Sequence, residues 1–269
     1  MEDVKTTTIS FPNLKNQPSK LFYMGDFQPS DINKCITVVG SRRMSDYGKI
    51  VIEKMIPGLV SAGKSIVSGL MYGVDQLVHR ECLRCHGRTI AVIGWGIKWN
   101  GIAQEDLLLM KQILAAGGAI VSQWEYQKPM LWTFPARDKV MAGISQEIYV
   151  VEAAVKSGSM ITVDWGVRMG KKIWAVPGPI TSKISEGTNR LIADGIATMW
   201  LPEQQLNLET LVKSSSDIQV YRLLQNEMLT IDDIARKTGK GVKDVGAQLS
   251  LMVLEGYVVE REGKYYIKE

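Results

Sequence analysis

The sequence predicts an α/β protein: an extended Rossmann-like doubly wound parallel sheet followed by a small C-terminal winged-helix domain. Three observations carry this reading. Short apolar runs alternate with amphipathic helical patterns through the first 200 residues. Those runs are apolar almost throughout, as strands covered on both faces are. Beyond Lys213-Ser214-Ser215-Ser216-Asp217 the rhythm changes to three helical patterns and a terminal hairpin.

Residues 1–31 read as an arm with little periodicity and a lead-in strand, Leu21-Phe22-Tyr23-Met24-Gly25. The core, residues 32–212, opens on Ile36-Thr37-Val38-Val39, a strand, and Gly40-Ser41-Arg42-Arg43, a turn. A helix follows with Ile50, Val51, Met55, Ile56 and Leu59 apolar. Strands are then expected at Ser65–Gly69, Thr89–Gly94, Ala119–Ser122, Glu147–Glu152, Lys172–Val176 and Thr198–Trp200. Between them lie helices at Gly73–Cys85, Glu105–Ala116 and Arg137–Ile144, one opened by Ser157-Gly158-Ser159, and one at Thr188–Ala193. Trp124, Tyr126, Pro129, Trp132 and Phe134 fall in a loop. Trp174 and Trp200 read as core.

The C-terminal module, residues 217–269, is expected to hold helices at Ile218–Gln225, Ile231–Lys237 and Val242–Leu254. Thr230 caps the second of these. A hairpin follows, turning at Glu262-Gly263.

Composition narrows the function. The chain has 269 residues, 45% hydrophobic and 22% charged, as ordinary globular proteins have. A net charge of +4 hints at a polyanionic partner without the excess of an obvious nucleic-acid binder. Three cysteines make no disulfide framework, and a reducing cytoplasm is expected. No apolar run approaches a membrane span, and the first residues lack the apolar segment of an export signal.

Two motifs mislead. Gly58-Leu59-Val60-Ser61-Ala62-Gly63-Lys64-Ser65 spells a P-loop, but a helix precedes it and a strand follows. That order is reversed, so the turn offers carbonyl oxygens where phosphate needs N–H groups. Cys82-Leu83-Arg84-Cys85-His86 spells a haem-attachment signal inside a helix, and its cysteines read as small apolar residues. Asp75 and His79, four apart, could pair on one helix face. No metal-ligand constellation and no catalytic residue are expected, and no cofactor.

Ligands of open parallel sheets sit beyond the carboxyl ends of the strands. Gly40-Ser41-Arg42-Arg43 stands there and reads either as an anion site at a helix N-terminus or as a plain turn with two solvated arginines. Ser68 and Gly69 with Tyr72, the turn Gly94-Trp95-Gly96, Phe134 with Arg137 and Lys139, and Lys156 with Ser157, Gly158 and Ser159 also fall at strand exits. Arginines and N–H groups for phosphates, with flat rings for bases, are what a single-strand groove needs.

Many short motifs, in order, resemble the DNA-processing protein A (DprA/Smf) family. They are Phe11-Pro12-Asn13-Leu14, Val39-Gly40-Ser41-Arg42, Ser68-Gly69-Leu70 with Gly73-Val74-Asp75, and Gly87-Arg88-Thr89-Ile90-Ala91-Val92-Ile93-Gly94. Phe134-Pro135 with Arg137, Ser157-Gly158-Ser159-Met160-Ile161-Thr162, Ala175-Val176-Pro177-Gly178 and Gly187-Thr188-Asn189-Arg190-Leu191-Ile192 continue the series. The resemblance implies single-stranded DNA and the RecA recombinase as partners, a homodimer, and a role in natural transformation. It implies that Arg42 holds phosphate, that Phe134 sits in the DNA pocket, and that Arg137 and Lys139 line it. Where the family commonly reads Arg-Asn-Arg, this chain has Arg137-Asp138-Lys139. Met71-Tyr72 replaces Ala-Arg, exchanging a charge for a stacking surface.

The C-terminal module holds eight Lys/Arg and nine Asp/Glu over residues 214–269. That balance suits an accessory DNA contact or a protein partner better than a duplex reader. The alternative for the core is a nucleotide-binding sensor or nucleotide hydrolase, with Glu152 as its acid.

Overall fold

The computed structural model describes residues 3–8, 20–202, 215–224, 227–254 and 258–267. Phe11–Leu14, Lys213, Ser214, Gln225 and Tyr257, which figure in the expectations above, lie outside them. The chain divides into two compact units, residues 1–205 and 206–269.

The first unit is built on a nine-stranded sheet. Its strands are β1 (Lys5–Thr7), β2 (Leu21–Gly25), β3 (Cys35–Val39), β4 (Ser65–Ser68), β5 (Thr89–Val92), β6 (Ala119–Ser122), β7 (Glu147–Val150), β8 (Lys172–Ala175) and β9 (Thr198–Met199). The spatial order is β1-β2-β6-β5-β4-β3-β7-β8-β9. From β6 to β9 neighbours pair in parallel. The lead-in strand β2 and the arm strand β1 run antiparallel at one edge.

Both faces of the parallel region are covered, so its strands carry apolar residues on both. Along β3, Cys35 and Val39 enter one cluster while Ile36 and Val38 enter the cluster on the other face. Thr37, between them, is buried, and its hydroxyl meets the Met141 carbonyl at 3.0 Å and Ser145 Oγ at 2.6 Å. Trp200 is buried, and Trp174 stacks on Tyr149.

The helices are α1 (Asp46–Ser61), α2 (Val74–Arg84), α3 (Gln104–Ala115), α4 (Thr133–Gly143), α5 (Ser159–Arg168) and α6 (Glu186–Ala193). Gly63, at φ +69°, stands between α1 and β4, so the P-loop spelling lies on a helix-to-strand turn. Cys82 sits inside α2, its thiol pushed up to about 12 by burial. Among the described residues no group of His, Cys, Asp and Glu is placed to hold a metal. No described helix is long and apolar enough to cross a membrane.

Two elements depart from expectation. The helix expected from Arg137 begins at Thr133, which takes Phe134 and Pro135 out of the loop. Proline is tolerated there because first-turn N–H groups have no intrahelical partner. α1 begins at Asp46, so Gly40–Arg43 is separated from its helix by a further stretch.

The second unit holds α7 (Ser215–Leu224), α8 (Ile231–Thr238), α9 (Val242–Leu254) and a three-stranded antiparallel sheet. Its strands are β10 (Leu229–Thr230), β11 (Val258–Arg261) and β12 (Lys264–Ile267), in the order β10-β12-β11. α7 starts within the stretch read as linker, and β10 is an unexpected third strand. Thr230 caps α8 through a reciprocal box with Asp233. The β11–β12 turn has Glu262 and Gly263 both at positive φ, as a two-residue hairpin loop requires.

Candidate nucleic-acid interface

Strand order reverses between β3 and β7. From β3 the chain proceeds through β4 and β5 to β6, then returns to β7 on the other side of β3 and moves outward to β8 and β9. Connections leaving β3 and β7 therefore diverge, and a crevice opens between them. A cleft of about 570 Å³ lies there. Gly40, Ser41, Arg42, Arg43, Tyr72, Phe134, Arg137, Ser157, Gly158 and Ser159 line it.

Arg42 is exposed, and its guanidinium carbon lies 5.6 Å from the Phe134 ring centroid and 5.8 Å from that of Tyr72. Contact with both ring faces holds the cation by the quadrupoles of the rings. Three backbone features bring this trio together. Gly73, at φ +83°, passes so close to Arg42 that a Cβ there would stand 2.6 Å from the Arg42 carbonyl oxygen. The next residue, Val74, donates its N–H to the Ser41 carbonyl at 3.2 Å. At Gly94 a Cβ would stand 2.8 Å from the Phe134 ring, so the bare backbone of that strand exit is the floor on which Phe134 lies.

The start of α1 is occupied from within. Ser45 is its N-cap, and the buried Glu152 accepts from Ser45 N at 2.9 Å and from Ser45 Oγ at 2.5 Å. A carboxylate at a helix N-terminus completes the orphan N–H groups and complements the dipole. Of the two readings of this turn, an anion site at the helix N-terminus or a plain turn with exposed arginines, the capped α1 favours the second. Glu152, the acid of the hydrolase alternative, takes the capping role, on α1 rather than on the helix opened by Ser157. Ser41 turns its oxygen to its own loop, accepting from Arg43 N at 3.0 Å.

Arg137 is in the expected place but in a different state. It is 4% exposed, and its guanidinium donates to the Val92 carbonyl at 2.7 Å, to the Gly69 carbonyl and, through Nε, to Asp138 at 3.0 Å. It ties the exits of β4 and β5 together behind the cleft. Asp138 is thus paired; burial pushes its carboxyl up and Arg137 draws it back. Gly69 leaves the room that the Arg137 guanidinium occupies, and Ser68 is buried with its hydroxyl on the Val38 carbonyl at 2.7 Å.

Lys139 is not brought to the cleft. Its ammonium sits 5.1 Å from the Trp165 ring centroid, in a separate hollow with Asp164 and Arg168. Residues two apart on a helix face opposite ways, so Arg137 and Lys139 cannot share one wall. Lys156 is exposed and does not line the cleft. Ser157 and Ser159 do, their hydroxyls 2.7 Å apart at the start of α5.

Other expectations change as well. Trp95 is buried in an edge-to-face contact with Trp99 and offers no free face to the cleft. Asp75 and His79 do not pair: His79 Nδ1 meets Thr89 Oγ1 at 2.7 Å, and Asp75 accepts from Met71 N at 3.4 Å. Met71 and Thr162, which the sequence motifs contain, also line the cleft, and so does Leu131, which sequence reasoning passed over. Leu131 is 93% exposed, and Thr162 Oγ1 is buried with no hydrogen-bond partner among the described residues. Nothing marks a lone Leu in an aromatic loop as a rim residue.

Residues 7–210 match the family model described as DNA recombination-mediator protein A. The chain is 32% identical to the protein Smf of Escherichia coli K12 across 92% of its own length and 71% of that protein's. It is 31% identical to the DNA processing protein DprA of Bacillus subtilis 168, over 71% of its length and 64% of the relative's. Among solved structures, DNA processing protein A of Streptococcus pneumoniae superposes with a TM-score of 0.66 at 30% identity, covering 76% of this chain and 74% of that one. The Helicobacter pylori protein, solved for its single-stranded DNA binding mode, gives 0.67 at 25% identity, with coverage of 77% and 97%.

Proposed function

Because the chain belongs to the DNA recombination-mediator protein A family, we propose that it binds single-stranded DNA in the cleft between the β3 and β7 exits and mediates RecA loading during DNA uptake. The observation that carries the reading is the exposed Arg42 guanidinium held between the Phe134 and Tyr72 rings. A cation for phosphate flanked by flat faces for bases is the sequence-tolerant way to grip an unpaired strand. Arg43 adds charge, and Ser157 and Ser159 offer hydroxyls on the opposite wall. Arg137 acts as a positioning residue, fixing the strand exits on which Phe134 rests. Lys139 and Lys156 contribute charge outside the cleft. A homodimer and a cytoplasmic setting complete the reading, with the second unit as a winged helix that makes accessory contacts.

Fluorescence anisotropy with labelled oligo-dT tests it. Binding is expected to weaken steeply with salt, since each phosphate neutralised releases counterions. Arg42→Ala is expected to lose most of the affinity while melting at the same temperature. Unchanged affinity in that variant would refute the assignment of the cleft.

A further inference from the structure

The cleft holds two carboxylates that the single-strand reading does not use. Asp75, in the first turn of α2, and Asp138, on α4, are both buried, and both line the cleft beside Arg137. One guanidinium serves the pair. Arg137 gives its Nε to Asp138 at 3.0 Å and directs Nη1 to the Gly69 and Val92 carbonyls. Asp75 stands against the same group. A Cβ at Gly69 would strike both the Arg137 guanidinium and Asp75 Oδ2, so the two share the space that glycine leaves.

The surroundings of Asp75 come from four places. Ser68 reaches it from the end of β4, and Met71 donates its N–H to Oδ2 at 3.4 Å. Arg137 and Asp138 act on it from α4, and Arg42, from the turn after β3, acts in turn on Asp138. His79, one turn further along α2, is held neutral down to about pH 3 by burial and by Arg137.

Charge then separates two states of the cleft. Among the described residues its lining holds three arginines, Arg42, Arg43 and Arg137, against two aspartates, Asp75 and Asp138. The lining stands at +1 with both acids ionised and at +2 once Asp75 is protonated. Low-dielectric walls focus such a difference onto a bound anion. Burial, opposed by Arg137 and reinforced by Asp138, pushes Asp75 up to about 6, so the second state is reached just below neutrality. A phosphate at Arg42 favours it further, because a nearby negative charge disfavours another.

We infer that Asp75 is a proton switch in this cleft: single-stranded DNA binds with uptake of a proton at Asp75, and the grip tightens as the medium turns mildly acidic. The inference rests on the single-strand reading above and adds a regulating group that acts through its charge, with no contact to the strand required.

The test uses the full chain and oligo-dT carrying a pH-insensitive label and no terminal phosphate, at constant ionic strength, from about pH 7.5 to about pH 5.5. Thymine and phosphodiesters titrate far outside this range, so the probe itself is silent. Wild-type affinity is expected to rise about fivefold as pH falls, the worth of one unit charge near one phosphate at the protein–water boundary. Asp75→Asn keeps the shape of the neutral acid. It is expected to bind at the upper pH about as tightly as the wild type does at the lower, with a flat profile. Calorimetry of wild-type binding near the middle of the range, in buffers of different ionisation enthalpy, is expected to show net proton uptake, a reading that needs no variant. A flat wild-type profile overturns the inference, and so does binding without proton uptake or a slope undiminished in Asp75→Asn. Failure to bind oligo-dT at any pH is the failure of the single-strand reading itself and takes the switch with it.

Discussion

Arg42 and Arg137 are each a cation near a strand exit, and the fold gives them opposite duties. Arg42 keeps its charge at the surface between two rings, whereas Arg137 is enclosed, with two carbonyls and Asp138 around it. Removing the Arg137 guanidinium leaves a buried carboxylate and two carbonyls unpaired. Arg137→Met is therefore expected to cost about 3 kcal/mol in urea unfolding. Arg42→Ala is expected to cost almost nothing on the same measurement. Gly94→Ala makes the complementary case: its Cβ would displace the Phe134 ring, so oligo-dT affinity is expected to fall more than stability does.

Two buried ionisable groups pull the pH response of this core in opposite directions. Burial pushes Asp75 from 3.8 up to about 6, with Arg137 drawing it back. Burial and Arg137 together push His79 from 6.5 down to about 3. The fold thus favours protonated Asp75, a contribution complete below about pH 4 and lost as pH rises to about 6. It favours neutral His79, a contribution complete above about pH 6.5 and lost as pH falls toward 3. As pH falls from 7 to 4.5 the loss at His79 therefore opposes a gain at Asp75. His79→Leu is expected to remove that loss in urea unfolding; an equal pH dependence in variant and wild type would assign it elsewhere.

At the scale of elements, the start of α1 is the informative one. Its N-terminus is completed by Glu152, which comes from the exit of β7, so the cap ties the two sides of the switch point together. Ser45→Ala is expected to cost about 1 kcal/mol. Gly48 lies within this cap. In most helices Gly→Ala stabilises, but here a Cβ would stand 2.5 Å from Glu152 Oε2, so Gly48→Ala is expected to lower the melting temperature. A rise would show that the cap yields easily. α4 teaches a related lesson. Once Thr133–Gly143 is one helix, helical spacing alone separates Arg137 from Lys139 and puts Phe134 on the first turn beside the cleft.

At the scale of the whole molecule, the nine-stranded unit contains every residue that lines the cleft, and the second unit has its own core around Val220, Ile234, Val245 and Leu249. Ending the chain after Gln205 is therefore expected to leave oligo-dT binding within about twofold of the full chain, since the phosphate contacts all remain. A large loss in the same anisotropy titration would move part of the binding surface into the second unit.

The sequence by itself determined the order and kind of nearly every element, because strands buried on both faces must be apolar along their length and helices between them must not be. It also determined where a ligand would gather, since the topology of a parallel sheet leaves glycine-bearing turns at one end. Only the tertiary structure decided which charged residues serve there. Arg42, Tyr72 and Phe134 come from three separate strand exits, and their meeting depends on the close backbone approaches at Gly73 and Gly94. Whether a side chain meets water, a ring, a carbonyl or a carboxylate is fixed by packing among distant segments: Arg137 and Glu152 found polar partners inside the fold, and Arg42 found two ring faces at its surface.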